Sequence, residues 1–198
     1  MNVLIRVNAL IVSGSDLYVG GDFTQAGGLP ANFIARWGGG VWSSLGTGSA
    51  NGVNSQVNDL AVSGSDLYVG GLLTQAGGLP ANRVARWNGS VWSSLGTGSG
   101  NGVYFIVLAL AISGSDLYVG GVVSPAANNL ARWNGSVWSS LGTGSGDGVN
   151  SQVNALAVSD SDLYVGGRFG SAGGQISSSI ARWRPDAEVI FASGFEEN

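Results

Sequence analysis

The chain has 198 residues, no cysteine and no histidine, and only 10% of its residues are charged. Cysteine nucleophiles, thiolate metal sites and disulfides are therefore excluded, as is any histidine-based acid-base pair. With 8 arginines, no lysine, 12 acids and a net charge of -4, the chain has no basic field for a phosphate backbone, so nucleic acid is not an expected partner. No apolar run reaches 18 residues, so no membrane-spanning helix is expected.

In chain order, the opening MNVLIRVNALIV lacks a small-residue cleavage site and reads as repeat from about residue 2, not as a secretory signal. SGSDLYVGG then occurs at 13 to 21, 63 to 71 and 113 to 121, and SDSDLYVGG at 159 to 167. The aligned aspartates Asp16, Asp66, Asp116 and Asp162 lie 50, 50 and 46 residues apart. The third repeat is short between its Gly-Gly pair and its Ala-Arg-Trp, where a loop absorbs the deletion.

Each repeat holds four β-prone runs, which in the second are 57 to 63, 66 to 74, 82 to 88 and 90 to 96, called a, b, c and d. The a to b and c to d links are short and rich in Gly, Ser and Asn, as tight hairpins require. No segment has a helical apolar period. Four antiparallel strands repeated at about 50 residues predict an all-β fold, a β-propeller of four four-stranded blades. The expected blades are 2-50, 51-100, 101-146 and 147-198, within a propeller region of 2-184.

The glycine pair after Leu-Tyr-Val, the aromatic of strand c and the Trp of strand d resemble the kelch blade pattern. The fuller phrase LYVGGDFTQAGGLPANFIARW is similar to repeats of large bacterial surface proteins with kelch-type propellers. That resemblance covers nearly all of 2 to 184 and implies a secreted or cell-surface setting. It implies a fold and no chemistry, because propellers host many functions.

The fourth repeat lacks the Trp hairpin of strand d, and RPDAEVIFASGFEEN follows Trp183 instead. Residues 185-198 are expected to supply the closing outer strand. Their IFASGFEE ending also resembles C-terminal tails of some secreted bacterial proteins, which leaves a processing or export role open. The ring is expected either to close within one chain or to join two chains as eight blades, so both monomer and homodimer stand.

A residue present once per repeat is expected to be scaffold. That covers the four turn aspartates, Arg36, Arg86, Arg132 and Arg182, and the tryptophans of strands c and d. The non-repeated acids Asp22, Asp59, Asp147 and Asp186 are scattered, no carboxylate pair suggests glycoside hydrolysis, and no calcium loop is present. No catalytic residue, metal or cofactor is therefore expected, and the protein is not expected to be an enzyme.

The d to a and b to c loops vary most between repeats and share one face. Candidate binding residues there are Gln25, Asn32, Asn54, Gln56, Gln75, Asn82, Tyr104, Phe105, Asn128, Asn129, Asn150 and Gln152. Asn54-Ser55-Gln56 and Asn150-Ser151-Gln152 alternate with Tyr104-Phe105-Ile106 and Leu4-Ile5-Arg6 at the entry to strand a. The expected function is non-catalytic recognition or adhesion, with a glycan or a protein as ligand on this face. The alternative is a structural or self-assembling module.

Overall fold

The computed structural model describes residues 5 to 123, 128 to 142 and 147 to 184. It is all-β and antiparallel, with 3-10 turns at Gly48–Ala50 and Gly98–Gly100. Among the described residues no helix is long and apolar enough to cross a membrane. The chain divides into two compact units, Met1–Val103 and Tyr104–Asn198, each containing two repeats.

In the first unit, β1 (Arg6–Ser13), β2 (Asp16–Asp22), β5 (Ile34–Gly38) and β6 (Val41–Ser44) form one sheet. A hairpin of β3 (Gln25–Ala26) and β4 (Leu29–Pro30) stands between β2 and β5. The next repeat copies this plan with β7 (Val57–Ser63), β8 (Asp66–Gly71), β11 (Val84–Trp87) and β12 (Trp92–Ser94). Its small hairpin is β9 (Gln75–Ala76) with β10 (Leu79–Pro80).

In the second unit, β13 (Ile106–Ser113), β14 (Asp116–Val122), β15 (Leu130–Trp133) and β16 (Trp138–Ser140) make a four-stranded sheet. The last sheet has three strands among the described residues: β17 (Val153–Ser159), β18 (Asp162–Gly167) and β21 (Ile180–Trp183). A hairpin of β19 (Ser171–Ala172) and β20 (Gln175–Ile176) precedes β21. The expected closing strand at 185-198 lies outside the described residues.

The a to b turns have two residues, with Gly14, Gly64 and Gly114 left-handed at φ 60, 59 and 59, as a glycine-first hairpin turn demands. Asp160 takes that place in the fourth repeat at φ 55, which its short polar side chain tolerates. Each first strand then carries a register shift, at Val7/Ala9, Val57/Asp59, Val107/Ala109 and Val153/Ala155. Without it, Val57 and Leu60, three residues apart, would point to opposite faces of a regular strand. The bulge brings both onto the side facing the preceding sheet, where they lie over Gly20.

Packing between sheets depends on that glycine. A Cβ placed on Gly20 would lie 2.4 Å from Val57 Cγ1, and one on Gly120 would lie 2.4 Å from Val153 Cγ1. Val57 and Val153 are thus knobs seated on bare backbone, each burial contributing roughly 1.5–3 kcal/mol. Ala9, Ile34, Val57, Leu60 and Val69 belong to the resulting core of the first unit. Trp92 crosses to the preceding sheet, donating from Nε1 to the Leu45 carbonyl at 2.7 Å. Trp37 and Trp42 stack within their own sheet at 5.3 Å.

Candidate functional site

The recurring charged residues pair with one another inside each repeat. Arg36, Arg86 and Arg132 lie 3.3, 3.3 and 3.6 Å from Asp16, Asp66 and Asp116, each bridging strand c to the turn of strands a and b. Asp162 holds both Arg182 at 3.6 Å and Arg184 at 2.9 Å. The Arg184 hydrogen bond keeps the Asp162 carboxyl below its ordinary range, with both guanidinium charges acting in the same direction. Burial and the nearby Asp66 carboxylate raise the Tyr68 hydroxyl. These aspartates act as fixed ion-pair partners.

The variable loops are held by a belt of hydrogen bonds. Asn32 Nδ2 donates to Asn51 Oδ1, and Asn82 Nδ2 donates to Asn101 Oδ1 at 2.5 Å. Asn128 Nδ2 donates to the Asp147 carbonyl at 2.8 Å and Asn129 Nδ2 to the Val149 carbonyl at 3.1 Å. Asn54 Oδ1 accepts from the backbone NH of Thr74 and Gln75 at 2.8 and 2.9 Å, and its Nδ2 donates to Thr74 Oγ1. Asn150 Oδ1 repeats that role for Gly170 and Ser171 at 2.9 and 3.1 Å. Gln56 and Gln152 each donate to an asparagine two residues on, Asn58 and Asn154.

Most of the amides predicted to bind are therefore engaged in joining the d to a linker to the b to c loop. Gln25 and Gln75 stand exposed on the small hairpins. Apolar residues of the same hairpins, Leu29 and Leu79, are also exposed.

Tyr104 and Phe105, at the start of the second unit, are 44% and 61% exposed. Phe105 has φ 69, left-handed for a bulky residue, which costs roughly 1–2 kcal/mol. Ser55 and Ser151 hold the corresponding position in the second and fourth repeats. An exposed aromatic pair with one member on a left-handed backbone just ahead of β13 suits an apolar contact.

A second left-handed position escaped the sequence reading. Phe33, Arg83, Asn129 and Ser179 all precede strand c and have φ of 62, 63, 67 and 67. Each is fixed twice, as in Phe33, whose NH donates to the Phe23 carbonyl and whose carbonyl accepts from Gly21 NH. The signal lay in a residue that differs in all four repeats, two positions before the invariant Ala-Arg-Trp. Arg83 Nη1 donates to the Leu72 carbonyl at 2.6 Å, so its side chain secures the loop behind it.

A groove of about 390 Å³ lies along Leu29, Pro30, Trp42 and Asn51 in the first unit. Of the non-repeated acids, Asp59 Oδ1 accepts from Leu60 NH at 2.8 Å and Asp147 Oδ2 accepts from Ser140 Oγ at 2.7 Å. Among the described residues no group of three or more acids is placed to hold a metal ion.

No protein-family model matches the chain, and no curated protein is significantly similar in sequence. Solved structures share its fold. The computationally designed Ika8 protein superposes with a TM-score of 0.56 at 18% identity, covering 97% of this chain and 53% of that one. The designed Ika4 protein gives 0.55 at 17% identity, covering 92% and 93%. YCF48 bound to D1 peptide gives 0.50 at 14%, covering 94% and 53%. The chain spans about half the length of Ika8 and YCF48. These propellers support a propeller-like, all-β fold here.

Proposed function

We propose that the protein is a non-catalytic recognition propeller that takes an extended, apolar stretch of another protein on its loop face, with Tyr104 and Phe105 as the anchor. The observation that carries this reading is Phe105, 61% exposed on a left-handed backbone. Strain of this kind persists only where surrounding structure enforces it, and it concentrates at binding sites. A glycan would need free amide and acid groups, whereas the loop asparagines already spend theirs on one another and on backbone. An apolar peptide needs none of them.

YCF48, a solved neighbour of the same fold, is bound to a peptide. The proposal includes four four-stranded blades, the last completed by residues 185-198, a kelch-type repeat and an extracellular or cell-surface setting. Panning the immobilised protein against phage-displayed linear peptides tests it, with recovered peptides titrated by calorimetry. Enriched apolar sequences should bind, and Phe105→Ser, which imports the residue of the second and fourth repeats, should weaken them about tenfold or more. Failure to enrich any peptide, or equal binding by Phe105→Ser, overturns the reading. A glycan array that lights up while peptides do not would replace it.

A further inference from the structure

Among the described residues, the first and fourth repeats each leave one side of a sheet uncovered, and the two sides are complementary. On the side of β1 that corresponds to the covered side of β7, Val7, Leu10 and Val12 are 54%, 62% and 68% exposed, whereas Val57 and Leu60 at the matching positions of β7 are 0% and 5% exposed. This is a row of knobs with no socket. On β18, Gly166 occupies the position of Gly20 and Gly120, the two glycines that seat a valine from the next repeat. Around Gly166, the atoms of the described residues within 4 Å of an added Cβ belong only to Ala155 of its own sheet, at 3.9 and 4.0 Å.

That glycine is kept where nothing among the described residues needs it. Ala155 and Ala157 beside it on β17 are exposed, while Ala9 and Ala109 in equivalent positions are 8% and 3% exposed. A socket lined by Gly and Ala stands without its knob.

We propose that the uncovered side of β1 in one copy packs against the uncovered side of β18 in a second copy, Val7 seating on Gly166 as Val57 seats on Gly20. The occupant is a second copy because the chain itself twice shows which surface fits this one: Val57 on Gly20 and Val153 on Gly120. The contact is head-to-tail, so two copies that close on each other use both surfaces of each chain. The inference is independent of the recognition reading, since Phe105 takes no part in it.

Light scattering on the full chain over a concentration series tests it. The expected mass is twice the chain's 20.0 kDa. Val7→Glu and Gly166→Leu should each lower the dimer affinity about tenfold or more while leaving the circular dichroism spectrum unchanged. Gly166 lies in an extended strand with open space above it, so a side chain there fills only the socket. A mass of 20.0 kDa at every concentration, as intrachain closure or covering by residues 185-198 would give, overturns the proposal. So does a dimer indifferent to both variants.

Discussion

β1 and β7 carry the same pattern, VNALIVS against VNDLAVS, yet Val57 is fully buried and Val7 is more than half exposed. The sequences agree and the environments do not. In a repeat protein, burial belongs to the interface between neighbouring units. The same holds on β18, where no valine among the described residues seats on Gly166 as one does on Gly20 and Gly120.

The comparison is easiest to break at the glycines. Gly120→Val should destabilise the protein by about 1–3 kcal/mol or more, since its Cβ would meet Val153 at 2.4 Å, whereas Gly166→Val should stay within about 0.5 kcal/mol in the monomer. Urea unfolding at dilutions where light scattering reports monomer measures both. Under the same conditions Val57→Ala should cost about 2 kcal/mol and Val7→Ala about 0.5 kcal/mol or less. Equal costs for the two valines would mean that β1 is covered.

Much of the fold was legible. The 50-residue period indicated the strand order, and the once-per-repeat rule set the recurring arginines and aspartates aside as scaffold, where they pair to bridge strand to turn in every repeat. Strand ends were less legible: b was read through Thr74 but ends at Gly71, since the chain leaves the sheet to form the β9 and β10 hairpin. The bulge in strand a hid the alternation, because two residues three apart share a face only when the register slips.

The recognition surface was harder to read. Asn32, Asn82 and Asn128 recur in three repeats, so the rule that removed the aspartates applied to them as well. Their partners lie 19 residues away across two loops, a pairing that no local pattern reveals. Phe105 stood out by composition, but its left-handed backbone is a property of the folded chain.

Smaller effects extend the contrast to the loops and to the last repeat. Asn54→Ala removes the acceptor for two backbone NH groups and should lower stability by about 1 kcal/mol, while exposed Gln25→Ala should change it by less than about 0.5 kcal/mol. Thermal melts separate them.

The weakest effect is electrostatic. Asp162 has its folded pKa lowered by Arg184, so its contribution is present above the unfolded value of about 3.9 and is lost as pH falls through the folded one. Arg184→Gln should therefore lower the melting temperature slightly near neutrality, and the difference should shrink as falling pH protonates Asp162.

Because the chain has no cysteine, introduced thiols report contact without background. The most direct measurement mixes a Val7→Cys chain with a Gly166→Cys chain under mild oxidation and reads the product on a denaturing gel without reductant. A Cβ on Gly20 would lie 3.2 Å from Val57 Cβ, so the equivalent pair between copies is within reach of a disulfide after a small adjustment. A crosslinked band at twice 20.0 kDa, formed by the mixture far faster than by either variant alone, is the predicted result. No such band, or a Val7→Cys/Gly166→Cys double variant that closes only within its own chain, would contradict it.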